Sequence, residues 1–186
     1  MKQLLKDIIP VILGILIALV INNWNENRKE QNYLKQIYTS INKELEESIQ
    51  SFEDNIPKQE RLVDSLRVNL DHESLELIEV IKKAGGIWAP RINNNSWRAV
   101  ANSRIELIEF EKLSSLSELD ESKNTQDYKQ KKIMDFVLEN VKSTDNDKKE
   151  ILMMMVLEMV SSGKYLQSEI EKFLEEQSPL RTSEGE

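Results

Sequence analysis

The sequence predicts an all-α protein in which an N-terminal transmembrane helix continues into a long helix of an antiparallel helical bundle. Three observations lead there. Of 186 residues only five are Gly and four Pro, and Glu, Lys, Leu, Ser and Ile are abundant, a composition of helix formers. From Ile8 to Ile21 no residue is charged and eleven of the 14 positions are Ile, Leu or Val. Beyond Trp24 no Pro or Gly interrupts the chain until Pro57, and apolar residues recur at steps of three and four, the signature of one helix face.

The first element is the anchor, residues 1–24. The uncharged run Ile8–Trp24 spans 17 residues. As a helix it is about 25 Å long, slightly short of a ~30 Å hydrocarbon core. Leu4 and Leu5 close the gap, Lys6 snorkels to the headgroups and Asp7 sits at the same interface. Pro10 falls in the first turn of the span, where its missing donor matters least. Trp24 suits the interfacial aromatic belt, with Asn22 and Asn23 beside it at the membrane exit. Gly14 and Ala18 form a small-xxx-small pair through which two spans can approach closely. A cleaved signal peptide is disfavoured because no A-x-A-like site precedes Asn22 and Asn23. A buried core helix is disfavoured because no other segment is apolar enough to surround the run, and an interfacial helix because the polar face it needs is missing.

The charge rule orients the span weakly. Lys2 and Lys6 precede it, and Arg28 and Lys29 follow. The short head offers little to translocate, so the expectation is a cytoplasmic N-terminus with residues 25–177 forming a helical domain outside. The absence of Cys permits either compartment.

In that domain, Tyr33, Leu34, Ile37, Tyr38, Ile41, Leu45, Ile49 and Phe52 lie on one stripe, so the span is expected to run unbroken from Val11 to Asp54. Pro57 predicts a kink or one short break, since its ring removes a donor and crowds the preceding turn. The pattern resumes at Leu62, Val63, Leu66 and Leu70. A short helix is predicted over Leu75–Ala84, with Leu77, Ile78 and Ile81 inward, stopped by Gly85 and Gly86. The stretch Gly85–Asn95 is irregular, because Pro90 forces Ala89 to be extended and three successive Asn favour turns and caps. Further helices are predicted over Ser96–Asn102, Glu106–Leu119, Thr125–Val141 and Asp147–Glu176. Leu107, Ile108, Phe110, Leu113 and Leu116 are core candidates in the second of these, and Tyr128, Ile133, Phe136, Val137 and Leu138 are its successor's apolar positions. Residues 178–186 read as a disordered tail.

The run Gly14–Lys29, GILIALVINNWNENRK, resembles the N-terminal signature of a family of uncharacterised small bacterial membrane proteins. Its members read roughly G-I-L-I-A-L-x-I-N-N-W-N-E-x-R-K and continue into a polar helical domain. A weaker likeness covers Asn94–Ile108, where Arg104 stands in place of the Gly of a Ser-Gly pair. The resemblance implies a single-pass protein of the bacterial inner membrane with a helical periplasmic domain, and it carries no activity.

Chemistry is sparse. Setting aside Lys2, Lys6 and Asp7 leaves 23 basic and 32 acidic residues, a net of −9. That balance argues against nucleic acid and anionic headgroups as partners. His72, between Asp71 and Glu73, is the only histidine. Adjacent positions do not converge on one helix face, so it reads as a solvated turn rather than a metal ligand. No nucleophile motif or phosphate-binding loop is present, so no catalytic residue, metal or cofactor is expected and the chain does not read as an enzyme. Two candidate surfaces remain. Trp88, Arg91, Asn93, Asn94, Asn95, Trp97 and Arg98 offer two indoles, two guanidiniums and three amides, either as a ligand or partner loop or as a plug on the end of the bundle. Met153, Met154, Met155 and Met159 suit a central helix or an oligomer contact. The functional expectation is an oligomeric scaffold or a small subunit of a larger membrane assembly. The alternative is an extracytoplasmic sensor that takes a small ligand at loop 86–98.

Overall fold

The structure is a computed structural model that describes residues 2–177, and the side chains of 10–177. The expected tail at 178–186 lies outside the described residues. The elements are five α-helices, α1 (Lys2–Val68), α2 (Leu77–Lys83), α3 (Asn95–Ala101), α4 (Phe110–Asn140) and α5 (Asn146–Gln177), with one 3-10 turn at Ile105–Leu107. Among the described residues there is no strand.

The continuous rod expected from the sequence is α1, and it is longer than expected. It passes through Pro57 without a break. Pro57 is exposed, so the carbonyl it leaves without a donor lies on the solvent side of the helix, where water can serve it. Between Pro10 and Lys29 every residue is exposed. From Tyr33 onward the apolar stripe turns inward, and Ile41, Leu45, Phe52, Ile56, Leu62, Val63 and Leu66 are all buried. Among the described residues no helix is long and apolar enough to cross a membrane.

The bundle itself has three long helices. Phe52 of α1 lies against the α-carbon of Gly163 in α5, and Lys164 bonds Glu60 at 2.7 Å. Towards the other end of α1, Ile41 and Leu45 share a cavity wall with Leu166 and Ile170, so the two helices run antiparallel. Gln126 of α4 donates to the Met159 carbonyl of α5, and Lys129 meets Glu158 at 3.1 Å, which makes α4 and α5 antiparallel as well. The central helix is therefore α5, and its Leu152, Val156, Met159, Leu166, Ile170 and Phe173 are buried. Its buried face is broad because it serves two neighbours. Met153 and Met155 are half-buried, whereas Ile151, Met154 and Leu157 face solvent.

The short helix α2 ends as expected. Gly85 and Gly86 take φ of 88° and 105°, which L side chains rarely adopt, and their N–H groups close back on Lys82 and Ile81. Leu77 and Ile81 are buried, but Val80 takes the third inward place and Ile78 is half-buried. At this distal end Lys149 is fully buried and donates to the carbonyl of His72 at 2.6 Å. The His72 turn is exposed.

Two expectations need correction. The helices predicted over Glu106–Leu119 and Thr125–Val141 are one helix, α4, starting only at Phe110. The apolar pattern lapses from Asp120 to Asn124, but no Gly or Pro falls there to break the helix. The register places the core candidate Phe110 on the solvent side, and of the apolar positions in the second segment it leaves Tyr128 and Leu138 exposed. A single amphipathic period imposed on two short segments misassigned them.

Candidate functional site: the tryptophan strap

Residues 85–104 descend the side of α1 as a strap, opposite in direction to the rod. The Trp88 carbonyl accepts from Gln59 Nε2 at 2.9 Å. Lower down, the Arg91 N–H donates to Ser51 Oγ at 2.7 Å and the Asn93 N–H to Ser48 Oγ at 3.0 Å. Glu44 then takes the N–H of Ser96 at 3.0 Å and its hydroxyl at 3.0 Å. Finally Arg104 reaches Glu30 at 2.8 Å and lies over the ring of Tyr33. The partners 44, 48, 51 and 59 follow one another at helical spacing, so one polar face of α1 supplies the backbone bonds that an irregular segment cannot make for itself.

Each candidate residue has a definite place on this strap. Trp88 is 44% exposed. Its indole N–H donates to the Gly85 carbonyl at 3.0 Å and Lys58 sits over its ring at 4.4 Å. Arg91 is exposed. Asn93 Nδ2 reaches Glu47 at 3.4 Å. A cap was expected from the run of three Asn; Asn94 occupies the cap position of α3 but makes no cap bond and instead donates to Asp120 of α4. The Glu44 carboxylate replaces it, bringing a favourable negative charge to the start of α3 from another helix. Asn95 is the first residue of α3 and is exposed. Trp97 is 5% exposed and belongs to the core with Val100. Arg98 bonds Asp120 at 3.2 Å and Asn124 at 2.8 Å.

The two indoles are thus separated in role, one stacked under a lysine at the surface and one plugging the gap between α1 and α4. A cavity beside Trp97, walled by Ile41, Ile92, Leu116, Leu166 and Ile170, has about 20 Å³ of free space. That admits one water at most and no metabolite-sized molecule. The arrangement fastens α4 to α1 by way of the strap, through the bonds of Asn93, Asn94, Ser96 and Arg98.

The other candidates lie along the rod. Gly14 and Ala18 are exposed on α1, and nothing lies within 4 Å of a Cβ built on Gly14. Asn22, Asn23 and Trp24 are exposed, with Arg28 over the Trp24 ring at 5.9 Å. Among the described residues no group of three or more His, Asp or Glu is placed to hold a metal ion. No family model, characterised protein or solved structure matches this chain.

Sequence reasoning missed Glu44, Ser48, Ser51, Gln59, Asp120 and Asn124. The signal for the first four was a second, polar stripe that runs beside the apolar one on α1 at helical spacing; that for Asp120 and Asn124 was the polar interruption of the apolar pattern in α4. It also missed a pair of buried atoms without hydrogen-bond partners, Tyr38 Oη and Asn42 Oδ1. Burial, with the Glu109 carboxylate nearby, pushes the Tyr38 hydroxyl above the ordinary tyrosine range. The raised value makes this contribution to stability complete below about pH 10, with loss as pH rises through the folded value. The substitution Tyr38→Phe removes a buried hydroxyl without a partner. The expected result is an unchanged or raised melting temperature for the full chain and a smaller loss of stability above about pH 10. A fall of several degrees in the melting temperature of the Tyr38→Phe variant at neutral pH contradicts the assignment.

Proposed function

We propose that this chain is a non-enzymatic, single-pass membrane protein of the bacterial inner membrane, acting as an oligomeric scaffold or as a small subunit of a larger membrane assembly. The observation that carries the reading is the continuity of α1. Its apolar segment, exposed on every side from Val11 to Ile21, belongs to the same helix as the core of the bundle. A side chain such as Leu16 or Ile17 left in water on all faces costs free energy at ~25 cal/mol per Å². A bilayer, or other apolar helices within one, removes that cost.

The segment from Pro10 to Trp24 has 15 residues, about 22 Å of helix. Leu4, Leu5, Ile8 and Ile9 extend it to the length a bilayer needs. In this reading the N-terminus is cytoplasmic and the bundle periplasmic. The open face at Gly14 and Ala18 is where a second span fits. The signature-like run Gly14–Lys29 supports the same topology. The strap supports a scaffold rather than a sensor, because its side chains hold α4 to α1 and leave no ligand-sized space between them.

Crosslinking in the native membrane, followed by mass measurement after detergent extraction, tests the proposal. The expected result is a crosslinked species at a multiple of the 21.7 kDa chain mass, or one containing a second membrane protein. It should weaken when Gly14 and Ala18 are both replaced by Leu. A strict monomer with no copurifying protein contradicts it.

A further inference from the structure

Among the described residues outside the apolar stretch of α1, the most exposed large apolar side chain is Phe110, 82% exposed. Ile105, also exposed, lies in the same turn between α3 and α4. The position of this turn in the fold is fixed by its two flanks. Arg104 is bonded to Glu30 and lies over Tyr33, while Lys112 lies over the ring of Tyr38 at 4.8 Å. The turn is therefore the end of the bundle that faces the apolar segment of α1.

The distances are set by the rod. Glu30 is six residues and Tyr38 fourteen residues beyond Trp24, about 9 Å and 21 Å along the helix axis. Phe110 is the first residue of α4, which leads away from this end. The Cα–Cβ bonds of a helix tilt towards its N-terminus, so the Phe110 ring is directed back towards the apolar segment. Phe110 is thus presented on the underside of the domain rather than on its flank, with the exposed Ile105 in the same turn.

We propose that this turn is a foot that rests in the headgroup layer of the bilayer beside the anchor, through Phe110 and Ile105. The inference depends on the anchor reading above. The chemistry selects the lipid. Glu106, Glu109 and Glu111 outnumber Arg104 and Lys112 in the turn, so anionic headgroups are repelled and zwitterionic phosphatidyl lipids are the occupant. The geometry also sets an orientation. The headgroup layer adds about 5–8 Å on each side of the hydrocarbon. An upright rod holds the foot just above that layer, and a tilt towards α4 within the usual range of about 0–40° lowers it in. The foot thus fixes the direction in which the rod leans.

The chain has no Cys, so single labels can be placed on the full chain in phosphatidylcholine vesicles. An environment-sensitive fluorophore at Glu111→Cys leaves Phe110 in place, and labels at Ile17→Cys and Leu138→Cys serve as references. Lipids carrying a nitroxide on the headgroup, or deep in the acyl chain, report contact. The expected result is quenching of the 111 label by the headgroup nitroxide, lost when Phe110→Ser and Ile105→Ser are added, with deep quenching at 17 and none at 138. Deep quenching at 17 together with a 111 label that behaves like 138 overturns the foot and leaves the anchor intact. Absence of quenching at 17 overturns the anchor and the foot with it. A blue shift at 111 that follows protein density instead of lipid nitroxide identifies a second copy as the occupant and overturns the proposal.

Discussion

Replacing Trp97 with Ala is expected to lower the stability of the folded chain by about 3–5 kcal/mol, the usual cost of deleting a buried aromatic side chain. Trp97 is 5% exposed and belongs to the same core as Ile41, Leu116 and Ile170, so its removal enlarges a cavity that now has room for one water. The loss should spread along the strap, because α3 hangs on Glu44 and Asp120 at the same level. Thermal melting of the full chain, with hydrogen exchange read at residues 88–104, measures both effects. Trp88→Ala is the control, since that ring is half exposed and meets mainly Lys58. It should cost about 1 kcal/mol or less. If the two variants are equally mild, Trp97 is not the plug described here, and a role in binding becomes the better account of the loop.

The second large effect is at the crossing of α1 and α5. Phe52 is fully buried, and a Cβ placed on Gly163 would lie 3.5 Å from its ring and 3.2 Å from Gln126 Nε2. Phe52→Ala is expected to cost about 3–5 kcal/mol through the cavity it leaves. Gly163→Leu is expected to cost about 1–3 kcal/mol through overpacking, even though Leu is the better helix former. Combined, the new Leu side chain enters the space vacated by the ring. The double variant should therefore be more stable than the sum of the two single effects predicts, with a coupling of about 1 kcal/mol or more. Strict additivity in chemical denaturation contradicts the packing of Phe52 against Gly163.

The helical class, the long first helix and the Gly85–Gly86 stop were legible in the sequence because each rests on local chemistry. Periodicity marks a helix face, and Gly tolerates the positive φ a helix end needs. The role of Trp97 was legible only as one of two options. Of the two indoles the structure buries Trp97 alone, along the side of α1, and that placement depends on Ser48 and Ser51, whose hydroxyls look like ordinary solvated groups in a sequence. What they bind is some 40 residues away, and no local pattern specifies that pairing. The division of α4 failed for a related reason. Asp120, Lys123 and Asn124 interrupt the apolar stripe, yet Asp120 and Asn124 are the residues that grip Arg98. A polar interruption read as a break is an interhelical contact. Phe110 was taken for core because any Phe on a helical period looks inward, and its exposure follows from its place at the very start of α4.

The central claim is that one rigid helix joins the apolar segment to the bundle. Spin labels at Ile21→Cys and Glu47→Cys are 26 residues apart on α1, which is about 39 Å along an unbroken helix. Both positions are exposed, so neither label disturbs the core. With the full chain in phosphatidylcholine nanodiscs, a pulsed electron-resonance distance measurement is expected to give one narrow distribution centred near that length. A broad or markedly shorter distribution would place a hinge between Ile21 and Glu47, and the single rod that joins the apolar segment to the bundle would not exist.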